Sequence, residues 1–395
     1  MCTMKKKYFI IMLSIILCVG TSKADDKLIF NPIQTAVPSL SISPESRGAG
    51  MGDIGAATTP DVNSQHWNPA KYAFLESKAG VGLSYTPWLR KLVNDIALMY
   101  LTGYYKIGDL QTMSASLRYF SLGEVTIRES SDATGYTINP YEMALDLAYS
   151  RKLSDKFSAA VALRFIYSDM TYGGDNEITP GSAFAADIAM YYNNYVFVGN
   201  SECLWSWGAN ISNIGSKISY DQGNNSSFIP TNLRLGTSLL YPIDEYNRIA
   251  FSADVNKLLV PTPPIGSYTV DDDGNATITD DAAWEDYKNM SPISGIFKSF
   301  SDAPGGFSEE LKEINWSIGA EYIYDQRFFL RGGYYHESAI KGNRKYYTFG
   351  AGFKMNIFQL DAAYMIAAAQ QSPLDQTLRF SLSFDMEGLK TIMRR

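Results

Sequence analysis

Ser43-Pro44-Glu45-Ser46-Arg47-Gly48-Ala49-Gly50-Met51-Gly52-Asp53-Ile54-Gly55, followed after ten residues by His66-Trp67-Asn68-Pro69-Ala70, decides how the chain is read. Gly48, Gly50, Gly52 and Gly55 alternate mostly with small residues, which leaves too little side chain for a core. Glycine permits close backbone approach and unusual φ/ψ, so the run suits a segment threaded against other backbone. From Lys78 onward the chain becomes a long series of alternating strands. The expectation is an all-β fold, a transmembrane antiparallel barrel of about fourteen strands with an N-terminal plug, or hatch, inside it. Residues 25–76 are assigned to the hatch, 77–387 to the barrel and 388–395 to a periplasmic tail.

Towards the N-terminus, Lys5-Lys6-Lys7, the apolar stretch from Tyr8 to Gly20 and Ser22-Lys23-Ala24 have the order of a secretory signal peptide. That apolar stretch is too short for a comfortable membrane span, and cleavage is expected near Ala24. Removing residues 1–24 takes away four lysines and no acid, so the formal charge moves from −7 to −11. Cys2 and Cys18 leave as well, and Cys203 alone cannot form an internal disulfide. An acidic chain argues against nucleic acid as a partner. The chain has 27 tyrosines, two histidines and 13% aromatic residues, and lacks an 18-residue apolar run after residue 24, as an outer-membrane barrel would.

Towards the C-terminus, period-two alternation carries the argument. Leu378, Phe380, Leu382 and Phe384 fall on one face, with Arg379, Ser381, Ser383 and Asp385 on the other. Met143 to Ser150 and Asn232 to Leu239 repeat the pattern. Fourteen segments are predicted: 78–86, 94–106, 111–122, 141–152, 157–170, 181–193, 201–213, 230–241, 246–260, 313–325, 327–337, 343–355, 357–368 and 376–387. Short links (Gly108-Asp109, 154–156, 242–245, Gln326, Asn356) alternate with longer ones (123–140, 171–180, 214–229, 261–312). Short periplasmic turns and long external loops are the layout of outer-membrane barrels.

Many strands carry one charge near the middle of the non-lipid face: Arg118, Asp146, Arg164, Asp187, Arg234, Asp254, Glu321, Asp361 and Arg379. An arginine on the lipid face at mid-membrane costs about 2–4 kcal/mol, so these are expected to point inward. There they can pair across the lumen or with Glu45, Arg47, Asp53 and Asp61 of the hatch. The external segment 261–312 holds ten acids against three lysines, yet carries Trp284, Tyr287, Phe297 and Phe300. Such apolar bulk reads either as a docking surface or as a lid with its own small core. It ends in a short helix predicted over 305–312.

Catalytic chemistry is sparse. His66 beside Trp67 reads as a structural hydrogen-bonding group. His336-Glu337-Ser338 has the residue types of a hydrolase triad, but neighbours in a strand alternate faces and converge poorly. Cys203 has no histidine at ligand spacing. Asp271-Asp272-Asp273 departs from the EF-hand pattern. No metal, cofactor or nucleotide site is expected, and the protein reads as a non-enzyme.

The Arg47–Gly52 run followed by Trp67-Asn68-Pro69-Ala70 resembles the hatch of the FadL-like outer-membrane proteins, fourteen-stranded barrels closed by an internal segment. More narrowly, residues 43–53, Asn63 to Tyr72 and Ser84-Tyr85-Thr86-Pro87-Trp88-Leu89 resemble the PorV family of type IX secretion. That resemblance implies an integral outer-membrane protein, in contact with outer-membrane lipid. It implies receipt of cargo bearing a C-terminal secretion domain from the translocon, and delivery to an attachment complex containing a sortase. Trp88, Leu89 and the 261–312 loop would then face cargo. A FadL-like channel for hydrophobic small molecules is the alternative, with a lipid A deacylase behind it.

Overall fold

Alternation of apolar and polar residues makes each strand two-faced, and a closed antiparallel sheet gives one face to lipid and the other to the lumen. The computed structural model describes residues 30–127, 135–171, 178–265, 268–270, 276–278, 281–355, 357–368 and 372–385. The expected signal peptide, Asp271–Asp273, the Asn356 junction and the expected 388–395 tail lie outside these residues. Among the described residues, fourteen strands close a barrel. They are β1 (Ala79–Pro87), β2 (Ala97–Ile107), β3 (Gln111–Ser121), β4 (Tyr141–Ser154), β5 (Phe157–Asp169), β6 (Gly181–Val198) and β7 (Ser201–Gly215). The second half comprises β8 (Asn232–Pro242), β9 (Asn247–Leu258), β10 (Ile314–Tyr324), β11 (Phe328–His336), β12 (Lys345–Lys354), β13 (Phe358–Ala367) and β14 (Leu378–Asp385). Sequential neighbours pair antiparallel, and β1 closes on β14 with Gly80 opposite Asp385 and Tyr85 opposite Phe380.

The facing follows the sequence. Leu147, Leu163 and Phe184 stand outward and exposed, while Asp146, Arg164 and Asp187 lie buried on the inner face. Expected and observed strands agree to within a few residues, with one instructive exception. The strand expected over 181–193 continues to Val198, with Tyr195 and Phe197 exposed at its end on the parity that faces inward earlier in the strand. Gly199, at φ +65°, then turns the chain directly into β7 and supplies a sixth short turn that the sequence reading lacked. The long connections all lie at the other end.

Residues 31–76 run through the barrel interior. Their elements are a 3₁₀ turn (Pro38–Ser41), the single-turn helices α1 (Ser46–Ala49) and α2 (Ser64–Trp67), and a second 3₁₀ stretch (Pro69–Phe74). Helix α1 packs on β12–β14 while Pro69–Phe74 packs on β3–β6, so the segment spans the lumen from wall to wall. In the long connection between β9 and β10 lie a small hairpin (Tyr268–Val270 with Ala276–Ile278) and helices α3 (Asp281–Asn289), α4 (Pro292–Lys298) and α5 (Phe307–Lys312).

Candidate functional site

The N-terminal segment is held at its glycines by exclusion of side chain. A Cβ on Gly55 would stand 2.2 Å from Trp67 Cγ, and one on Gly48 2.5 Å from Trp67 Cζ2. The indole therefore lies flat on glycine backbone, and its Nε1 donates to Glu45 Oε1 at 2.7 Å. The Glu45 carboxylate also accepts from Gly48 N at 2.7 Å and Arg47 N at 2.5 Å, which caps α1. Burial pushes the Glu45 carboxyl up to about 7, with the Asp61 charge adding to the rise. Asn68 Nδ2 donates to Ala56 O and to Met190 O, both at 2.9 Å, tying the Trp-Asn-Pro-Ala turn to the segment and to the wall. Met51 is fully buried, and its backbone touches the barrel at Gly319 and Gly333. Lys71 is buried too, with Nζ on Gly55 O at 2.9 Å and Thr58 Oγ1 at 3.0 Å, and burial brings it down to about 8.

Most of the expected inward charges converge on this segment or on one another. Arg47 presents Nε and Nη2 to the two oxygens of Glu321 at 3.1 and 2.8 Å, and Nη1 to Asp61 at 2.8 Å. Glu321 is shared with Arg331 at 2.8 Å, and Arg331 reaches Asp361 at 2.6 Å. Asp254 Oδ2 accepts from Gly55 N and Ala56 N at 2.8 and 2.9 Å. Arg118 donates to Ser39 O, to Ile42 O at 2.9 Å and to His66 Nδ1 at 2.9 Å. Arg234 lies over the Trp67 ring, 4.6 Å from its centroid. A second cluster stays within the wall, where Arg164 bridges Asp146 and Asp187. Arg379 is buried, 5.7 Å from the centroid of Trp88 at the long-loop end.

Arg331 and Glu142 belong with these charges, and the sequence reading omitted both. Glu142 shares the inward parity of Ala144 and Asp146 and accepts from Ser39 N at 3.1 Å, so the alternation already marked it. Arg331 sits in Phe-Phe-Leu-Arg-Gly-Gly, where apolar residues and glycines occupy both faces and hide the period. Being the sole charge in that strand was its one signal.

The external loops divide into packed and exposed parts. Trp284 and Tyr287 are half-buried: the two rings meet edge-on at 5.8 Å, and Tyr287 meets Phe228 at 5.6 Å. Gly295 lets α4 settle on Pro261 and Phe228. Ile293, Phe297 and Phe300 point outward, joined by Phe307 of α5. Trp88 and Leu89 are half-buried, with Leu92 exposed beside them. A buried ion cluster straps the loop to the barrel rim. Lys257 pairs with Glu310 at 3.1 Å and Glu313 at 2.6 Å, and Lys341 pairs with Glu309 at 2.6 Å and Glu313 at 2.9 Å. Those cations hold the Glu313 carboxyl below its usual range against the opposing effect of burial. His336 and Glu337 diverge: the imidazole stacks on Trp316 at 5.0 Å, while Glu337 turns to Arg344 at 2.7 Å. Cys203 is buried.

A closed fourteen-stranded barrel with an apolar outer face and long loops at one end is the fold of an outer-membrane β-barrel. The toluene transporter TodX of Pseudomonas putida shares this fold at a TM-score of 0.51 and 11% identity, over 90% of this chain and 99% of that one. A second structure of that transporter gives 0.50 and 12% identity, over 87% and 98%. A Pseudomonas aeruginosa FadL homologue matches at 0.42 and 11% identity, over 90% and 99%. No protein of curated function matches in sequence. The model of the type IX secretion system protein PorV matches residues 23–265, well over half the chain. The chain belongs to the PorV family and is an outer-membrane component of type IX secretion.

Proposed function

We propose that the protein receives exported cargo at its long-loop end, binding the C-terminal secretion domain, and passes it to the sortase-containing attachment complex. The N-terminal segment serves as a fixed plug, and the barrel acts as a membrane-embedded platform. Membership of the PorV family supports the setting. The observation that carries the reading is the exposed ridge on the external loop. Ile293 and Phe297 lie one helical turn apart on α4, Phe300 follows that helix and Phe307 opens α5, and all four are exposed, Phe297 at 74% and Phe307 at 77%. An apolar ridge on an acidic loop supplies burial at its centre and charge at its rim, as protein interfaces do. Tyr287 packs on Phe228, which also meets Gly295 of α4.

A FadL-like channel for hydrophobic molecules needs an apolar passage past the segment. Arg47, Glu321, Arg331 and Asp361 instead set a charged network between the segment and the β10–β13 wall, which favours the platform. The test is co-purification of C-terminal-domain cargo from native outer membranes with a Phe297→Asp/Phe300→Asp double variant. Capture is expected to fall at least about tenfold while the barrel stays folded. Undiminished capture would sink the docking role.

A further inference from the structure

The N-terminal segment crosses the barrel in one direction, and its backbone contacts show which. Asn31 stands at the long-loop end. Its N–H donates to Ile340 O at 3.0 Å in the β11–β12 connection, and its Nδ2 donates to Pro263 O at 3.2 Å in the β9–β10 connection. The Ala36 N–H donates to Phe228 O at 2.9 Å in the β7–β8 connection. By Lys78 the chain has reached the other end. There Lys78 O accepts from Lys106 N at 2.8 Å, and Ala79 pairs with Tyr105 beside the short turn at Gly108. In outer-membrane barrels short turns face the periplasm and long loops the exterior, so the segment enters from the cell-surface side.

Residues 31–37 therefore cross the external mouth before the chain turns down into the lumen. Pro32 and Pro38 bring no backbone N–H, which suits a crossing with no ladder to join. Between its ends the crossing borders open space. Pro32 and Ile33 line a cavity of about 230 Å³ together with Leu258, Glu313 and Arg344, and Gln34 is exposed. What fixes the crossing is its two ends. At the inner one, Val37 is a β-branched residue in the left-handed region, φ 51° and ψ 57°, a conformation that persists only where the surroundings impose it. Its side chain is buried with Leu40, Ile166 and Ile229. Just below, the Ser39 N–H donates to Glu142 at 3.1 Å and Arg118 donates to Ile42 O at 2.9 Å.

We propose that residues 31–37 form an external strap, a device that clamps the β7–β8, β9–β10 and β11–β12 connections in one arrangement across the mouth. All three acceptors are backbone carbonyls, so the clamp fixes where each loop runs. Phe228, which takes the Ala36 N–H, also packs on Tyr287 and meets Gly295 of α4, so the hold extends to that helix. Without the strap those carbonyls turn to water, and the loops keep only their own contacts. The ion network around Arg47 holds the deeper part of the segment separately. The strap stands independently of the cargo role.

Two measurements test it. The first is labelling of intact cells with a membrane-impermeant maleimide. Gln34→Cys is compared with Asn200→Cys, which lies in a short turn, and Cys203 is buried. Gln34→Cys should label on intact cells, and Asn200→Cys only after the outer membrane is permeabilised. The second is hydrogen exchange of the full protein in detergent, read by mass spectrometry. Asn31→Ala/Ala36→Pro removes the side-chain donor at one end and the N–H at the other. Exchange in residues 226–231, 259–265 and 338–344 should rise at least about tenfold, with the β4–β5 ladder and residues 44–72 unchanged. Asn31→Ala alone, which keeps every backbone donor, should give a smaller rise of about threefold in residues 259–265. Heat-modifiable gel mobility checks that each variant is a folded barrel. Labelling of Gln34→Cys only after permeabilisation, loop exchange unchanged in the folded double variant, or a rise confined to residues 44–72 overturns the proposal.

Discussion

Replacing Arg47 by alanine should loosen the N-terminal segment while leaving the barrel intact. The Arg47 guanidinium makes five hydrogen bonds: two to Glu321, one to Asp61 at 2.8 Å, and two to Thr59, at 2.9 Å to its carbonyl and 2.6 Å to its hydroxyl. Breaking a buried ion pair from one side costs about 3–5 kcal/mol, because the partner stays charged and desolvated. Glu321 keeps Arg331, and Asp61 is partly accessible and keeps Ser64, so the lower end, about 3 kcal/mol, is expected. The fourteen-strand ladder does not depend on Arg47, so the loss should appear as local opening. Hydrogen exchange of residues 44–72, read by mass spectrometry against the β4–β5 ladder as internal reference, measures it directly. Protection of the segment should fall about a hundredfold, and a cycle with Glu321→Gln should give a coupling of about 2 kcal/mol. If the segment in Arg47→Ala exchanges as slowly as in the parent, with a coupling below about 0.5 kcal/mol, the ion network does not secure it.

Three further outcomes follow from particular contacts. Glu45 rises from 4.5 to about 7, so the folded segment takes up a proton that the released one does not. Segment stability should then increase as pH falls from above 7 to about 4.5, by at most about 3 kcal/mol, and Glu45→Gln should flatten that dependence in exchange measurements corrected for intrinsic rates. A Cβ on Gly333 would lie 2.0 Å from the Met51 carbonyl carbon, whereas one on Gly332 meets only Thr348 O at 3.9 Å. Gly333→Ala should therefore raise exchange in residues 48–54, by about 1–3 kcal/mol of lost stability, and Gly332→Ala should not. Leu163, outward and 65% exposed at mid-strand, should cost about 2–4 kcal/mol as Leu163→Arg in reversible unfolding from lipid vesicles, while Leu163→Phe should be near neutral.

The sequence by itself determined the barrel. A strand in a closed sheet between lipid and lumen must alternate, and a mid-membrane charge on the wrong face is too costly to keep. Leu145–Asp146–Leu147 and Leu163–Arg164–Phe165 therefore announce both strand and facing. The sixth turn at Gly199 was harder to see, because Tyr195 and Phe197 prolong a strand through a stretch without strong breakers. Only tertiary structure decided which inward charges meet. Arg47 and Glu321 are 274 positions apart, and nothing in local spacing pairs them. It also made Trp67 the hinge of several contacts, because the glycines at 48 and 55 admit an indole that any side chain would exclude. Loop 261–312 shows the same division. Composition marked it as acidic with apolar bulk, but aromatic identity cannot separate Trp284, half-buried near Phe228, from Phe297, left facing solvent. That choice depends on which face of each helix the barrel rim happens to cover.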